Sequence, residues 1–177
     1  MTSSLIDNKG EKEETNMWET KIVEIRKLVK ESIKGLSYEE LNQKPSPGEW
    51  SIAQIILHLA GAETRFLTLA LDSAENGGER SDSDVDLSVF DDPSKKMIAP
   101  IEPSTDPHTL DELMKALDES RSLTTHFLEK YTKEGLDRLS MNHHRFGDMP
   151  IWQVLELLGK HEQRHLLQME DVKKRIR

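Results

Sequence analysis

Apolar residues recur at spacings of three and four along four stretches of the chain, the period of one face of an α-helix. Trp18, Ile22, Ile25, Val29 and Ile33 form the first stripe and predict a helix over 18–34. Gly35 stands where a C-terminal cap belongs. Ser37 with Glu40 has capping-box spacing and predicts a short helical turn before Pro45, Pro47 and Gly48 end the pattern. Ser51 with Gln54 repeats the capping box and opens a second helix. Its stripe is Ile52, Ile55, Leu59, Ala62, Phe66 and Leu69, and it runs to the Gly77-Gly78 pair. A third helix is predicted to open at Asp106-Pro107, an N-cap followed by proline at the first helical position. It turns Leu110, Leu113, Met114, Leu117, Thr124, Leu128 and Tyr131 inward. A fourth opens over 148–150 and carries Ile151, Val154, Leu155, Leu158, Met169 and Val172. It ends in Lys173, Lys174, Arg175 and Arg177, which suit the negative end of the helix dipole. No run alternates as a strand would.

The connection over 74–105 is acidic and contains Pro93, Pro100 and Pro103. A structureless loop of that length is unusual in a compact domain. It is either disordered or a crossover that leaves the second and third helices parallel; we favour the crossover, with a mobile middle. A polar connection over 132–149 holds His143 and His144. Four amphipathic helices of ~20 residues span roughly 30 Å each, so the expected fold is an all-α four-helix bundle. The polar first sixteen residues read as a flexible tail, and 17–177 as one domain.

Composition narrows the function. The chain has 177 residues, 35% hydrophobic and 32% charged, which suits water-facing helices better than a sandwich or barrel. Its net charge of -9 argues against nucleic acid and against an anionic membrane surface as partners. It has no cysteine, which excludes disulfides, cysteine-based zinc sites and a cysteine nucleophile. No stretch approaches 18 apolar residues, and the N-terminus lacks a signal-peptide h-region, so a cytoplasmic location is expected.

Candidate chemistry lies in the histidines. His161 and His165 fall at about 280° and about 320° on a helical wheel that places Val154 at about 300° and Leu158 at about 340°. Both therefore lie inside the apolar stripe. His58 sits likewise within about 60° of Ile55, Leu59 and Ala62 on the second helix. His126 points away from its stripe, and His108 lies in the first turn of the third helix. One buried imidazole is ordinarily a structural hydrogen-bonding group. Three left unpaired would each cost ~1–3 kcal/mol. Neutral imidazole is also the commonest side-chain metal ligand, and a histidine pair one turn apart plus a third from a facing helix can build a metal site. His161-Glu162-Gln163-Arg164-His165 matches the zinc-peptidase spacing H-E-x-x-H. The longer form of that motif is absent, however: Met169 and Glu170 occupy the stretch, beside Asp171. No strand is available to align a peptide either, so a peptidase is set aside. Glu162 is then a surface residue or a group that orients a ligand or a water. Asp82, Asp84 and Asp86 alternate as in a calcium loop, but Leu87 and Pro93 occupy positions that such a loop reserves for Gly and Glu.

Three segments resemble the DinB-like superfamily of metal-binding four-helix bundles. They are Pro47-Gly48-Glu49-Trp50-Ser51-Ile52-Ala53-Gln54-Ile55-Ile56-Leu57-His58-Leu59, Met149-Pro150-Ile151-Trp152-Gln153-Val154-Leu155, and His161 with His165. That group includes metal-dependent hydrolases and S-transferases that use bacillithiol or mycothiol. The resemblance implies an up-down-down-up bundle and one divalent metal held by His58, His161 and His165; three imidazoles suit zinc, nickel, iron or copper, and zinc or nickel is expected first. Three imidazoles leave open positions on such an ion, the pattern of a catalytic site rather than a structural one. The expected activity is a metal-dependent S-transfer with a low-molecular-weight thiol as cosubstrate, or a hydrolysis, on small molecules. The alternative is a non-catalytic, metal-stabilised bundle or binding module. The resemblance also allows a homodimer. Gln54, one turn before His58, and Arg164, beside His165, could face the site or solvent.

Overall fold

The computed structural model describes residues 7–79 and 84–177. Its helices are α1 (Asp7–Ile33), α2 (Tyr38–Asn42), α3 (Ile52–Asn76), α4 (Leu110–Lys130), α5 (Lys133–Leu136) and α6 (Val154–Ile176). Two strands, β1 (Ser140–His143) and β2 (Gly147–Pro150), pair antiparallel.

Local rules start α2 and α3 where the sequence places them. Ser37 and Ser51 each accept a hydrogen bond from the backbone N–H three residues on, and the Glu40 and Gln54 side chains accept in turn from the Ser37 and Ser51 backbone N–H. Gln54 is thus occupied by its cap. α4 begins later than Asp106-Pro107 predicts: Thr109 is the N-cap and forms a capping box with Glu112. α1 begins at Asp7 rather than Trp18, so the tail expected over 1–16 is helical from Asp7. Residues 1–6 lie outside the described residues. Gly35 keeps an ordinary φ, so no left-handed cap closes α1.

The expectation of no strand is corrected by the hairpin. Met141 and Met149 face each other across it, both buried, while Asn142 pairs with Asp148 on the wet side. Gly147, at φ 69°, supplies the turn. α6 therefore opens after β2 and a 3₁₀ turn at Ile151–Gln153, not at Asp148.

Side-chain pairings fix the topology. Trp18 lies against Gly159, and Ser32 against Glu170 and Lys173, so α1 and α6 run parallel. Glu63 meets Ser120 and Thr124, and Glu75 meets Lys130, so α3 and α4 are parallel too. Arg121 reaches the Ile22 carbonyl and Lys30 reaches Asp118, so α1 opposes α4. The result is an up-down-down-up four-helix bundle with a long crossover between α3 and α4.

That crossover is fastened to α6. Gln153 exchanges hydrogen bonds of 3.0 and 2.8 Å with the Val85 backbone. Lys160 binds Asp91 at 2.6 Å, and Arg164 donates to the carbonyls of Val89, Asp92 and Lys95. Arg164 therefore holds the crossover rather than the candidate site. The mobile middle expected of this segment falls partly on residues 80–83, outside the described residues. Asp86 accepts from the Ser88 N–H at 2.9 Å, a loop-capping role.

The apolar core is split into two clusters. One gathers Ile22, Phe66, Phe127, Leu158 and the hairpin methionines. The other gathers Ile25, Val29, Leu59, Leu117 and Met169. Between them lies a buried polar layer of Arg26, Glu63, Ser120, Thr124 and Glu162.

Candidate metal centre

His58 comes from α3, and His161 and His165 from successive turns of α6. Their ring centroids form a nearly equilateral triangle with sides of 4.9, 4.7 and 4.6 Å. One donor nitrogen from each ring lies within 4.8 Å of the other two. The Nε2 atoms of His58 and His161 approach to 3.0 Å. His165 Nδ1 lies 2.7 Å from Gln168 Oε1, so Nδ1 carries the proton and Nε2 keeps its lone pair. Among the described residues no carboxylate and no fourth histidine joins this group.

The rings are neutral ligands at ordinary pH. Burial pushes the His58 imidazole down to about 3, helped by His165 and Arg65. Burial brings His165 to about 4 and holds His161 well below its usual value. The Nδ1 atoms of His58 and His161 are buried with no protein hydrogen-bond partner. Two neutral rings that share a single Nε2 contact cannot satisfy both, so protein contacts alone leave the pair under-bonded. Neutral nitrogens converging on one point without a cation or carboxylate between them fit a bound divalent ion.

Aromatic rings surround the triangle. Trp50 lies 4.9 Å from the His58 ring and stacks at 6.3 Å on His165. Trp50 is itself anchored to Glu102 of the crossover by a 2.8 Å hydrogen bond. Phe66 and Phe90 stand edge-on to His161 at 5.6 and 5.9 Å. Phe66 also touches His143 at 5.5 Å. His143 is buried, and its Nδ1 accepts from the Arg145 N–H at 3.1 Å.

The remaining predicted residues separate from this group. His126 and His144 are exposed, and His108 is half-buried at the start of α4. Glu162 is neither a surface residue nor a group that faces the triangle. It is fully buried and held by Arg26 and Arg121. Glu63 completes this cluster, receiving Arg26, Arg121, Ser120 and Thr124. Burial works to raise the Glu63 carboxyl, but Arg121 and Arg26 bring it below its ordinary value. Burial keeps Glu162 above its own. An H-E-x-x-H peptidase needs that glutamate free beside the metal. Here two arginines occupy it, so the peptidase reading has no general base. Arg26, Glu63 and Arg121 went unremarked in the sequence. The available signal was charge at stripe positions: Arg26 follows Ile22 by four, and Arg121 follows Leu117 by four.

A four-helix bundle with three histidines converging from α3 and α6 defines the class. Residues 21–169 match the family model described as the DinB superfamily, and the chain belongs to that superfamily. "Uncharacterized protein YuaE" of Bacillus subtilis (strain 168) is 31% identical over 146 residues, covering 81% of this chain and 90% of that protein. "Putative metal-dependent hydrolase GK0616" of Geobacillus kaustophilus (strain HTA426) is 25% identical over 163 residues, covering 92% and 85%. Among solved structures, YfiT from Bacillus subtilis superposes with a TM-score of 0.68 at 16% identity, covering 93% of this chain and 89% of YfiT. That structure is described as a probable metal-dependent hydrolase with an unusual four-helix bundle topology. At such identity the likeness speaks for the fold.

Proposed function

We propose that the protein is a metal-dependent enzyme acting on small molecules, with His58, His161 and His165 as the ligands of one divalent ion. The observation that carries this reading is the convergence of three neutral imidazoles with no fourth protein ligand among the described residues. A divalent ion held by three imidazoles keeps open positions and there activates a water, or ionises a thiol, near neutral pH. The chain supplies the rest. Gln168 fixes the His165 tautomer. Trp50, Phe66 and Phe90 set the ring orientations and make the surroundings apolar, which strengthens electrostatic interactions in the site.

Hydrolysis is the reaction we favour, because the relative from Geobacillus kaustophilus carries the name of a metal-dependent hydrolase. S-transfer with an external thiol is the second reading, and zinc or nickel the metals proposed for either. A thiol nucleophile would have to come from a cosubstrate, because the chain has no cysteine. The test is an activity panel of small esters, amides and lactones, and of electrophiles with bacillithiol or mycothiol, on zinc- and nickel-loaded protein. The expected result is turnover that chelation abolishes and added metal restores. Turnover that survives chelation, or none with any substrate, contradicts it and favours a non-catalytic bundle.

A further inference from the structure

Arginines packed in or against the bundle spend their donors on protein groups. Arg26 and Arg121 bind Glu63, Glu162 and the carbonyls of Leu117 and Ile22. Arg164 binds three carbonyls of the crossover. Arg65 on α3 differs. It is half-buried, and among the described residues its guanidinium has no hydrogen bond and no ion pair. Burial lowers its pKa, and no neighbouring carboxylate opposes the shift.

Its place follows from the helix. Arg65 is two turns beyond His58, on the same face of α3. A long helical side chain leans back toward the helix N-terminus. This one does so over Gly61: a methyl group there would stand 3.2 Å from Arg65 Nη1. The guanidinium thus lies one turn from His58, over a residue whose missing side chain makes the room. Its charge acts on both His58 and His161. The next residue, Phe66, stands edge-on to His161 and gives the same corner an apolar wall.

A guanidinium partly withdrawn from water, with no protein partner among the described residues, offers five N–H donors in a rigid fork to water or to a ligand. A planar oxyanion meets that fork with two parallel, charge-assisted hydrogen bonds. The need for a local cation is sharpened by the net charge of -9, which repels anions at long range. We propose that Arg65 is the anion-binding residue of the three-histidine site, and that its ligand is a compact organic molecule bearing a carboxylate or similar oxyanion. This rests on the triad being the reaction centre, and the test below keeps the two ideas apart.

Benzoate and benzamide have the same shape and differ in charge. Each is titrated into metal-free and zinc-loaded protein, with binding followed by calorimetry or ligand-observed NMR. Metal-free wild type is expected to bind benzoate about tenfold more tightly than benzamide. Arg65→Met keeps the aliphatic stem and is expected to bring that ratio to about one, with Arg65→Lys between the two. Thermal unfolding of Arg65→Met should match the wild type, because no protein partner is lost. Inorganic phosphate that competes with benzoate only when Arg65 is present widens the ligand class to phosphoryl oxyanions; phosphate without effect confines it to carboxylates. Equal benzoate binding by wild type and Arg65→Met overturns the proposal. So does a benzoate preference that appears only with zinc and survives Arg65→Met, since the ion then holds the anion. An Arg65-dependent preference in protein that takes up no zinc keeps the anion site and removes the metal reading alone.

Discussion

At the scale of single residues, three imidazoles have been placed where leucines would pack. His58, His161 and His165 were legible because the helical period alone puts them on apolar stripes. Their neighbour Glu162 was not. Its partners Arg26, Glu63 and Arg121 come from three other helices, and no local pattern links them. His143 was equally hidden, since a polar connection gave no reason to expect a buried ring beside Phe66. Withdrawal of the triad from water, with His58 and His161 buried and His165 half-buried, has a consequence for stability. In the unfolded chain each imidazole titrates at ~6.5. Burial in the fold lowers His58 to about 3 and His165 to about 4. Below pH ~6.5 the unfolded state therefore takes up protons that the folded state refuses, and stability falls as the pH drops toward those folded values. For metal-free protein we expect the urea midpoint to drop steadily between pH 7 and pH 5. A flat profile over that range contradicts the buried, neutral assignment.

At the scale of elements, the helices with capping boxes were readable to within a few residues, whereas α1 begins at Asp7, well before the Trp18 at which its apolar stripe starts. Two kinds of feature were not. Thr109, three residues past Asp106, took the cap because its own box with Glu112 outweighs the Asp-Pro signature. The hairpin has four-residue strands, too short to show a period and rich in residues that also suit loops. Helix contact adds a prediction of its own. A Cβ at Gly159 would lie 2.6 Å from Trp18 Cζ3, so Gly159 lets α1 approach α6. Gly159→Ala should destabilise the protein by about 1–3 kcal/mol through overpacking. Gly35→Ala, whose added Cβ meets nothing within 4 Å and whose φ is ordinary, should be neutral or slightly stabilising. Denaturant unfolding of both variants checks the contrast.

At the scale of the whole molecule, one layer of charge joins α1, α3, α4 and α6. Its bonds pass from Arg26 to Glu63 and Glu162, and from Arg121 to the same two carboxylates. It lies between the two apolar clusters, and its Glu162 is the residue next to His161 in the chain. Such a layer is weak evidence for net stability, yet removing one partner strands a buried charge. Arg26→Met should cost about 3–5 kcal/mol. The double variant Arg26→Met with Glu162→Met removes a charge of each sign and should cost less than the single one. An additive result would show that the two side chains act independently. The crossover belongs to this scale as well. Fastened by Gln153, Lys160 and Arg164, it carries Phe90 onto His161 and Glu102 onto Trp50. Its length was readable in the sequence; that it walls the histidine site was not, since proline and acidic residues mark a loop without saying where it docks.

The central claim is that three histidines from two helices form one metal centre. It is tested most directly by elemental analysis of tag-free protein, wild type beside His58→Ala, His161→Ala, His165→Ala and His126→Ala, after incubation with zinc or nickel and removal of excess. The account predicts close to one divalent ion per chain in the wild type and in His126→Ala, and loss of it in each of the other three. Equal metal in all five proteins, or none in any, would contradict it and leave His58, His161 and His165 as core residues.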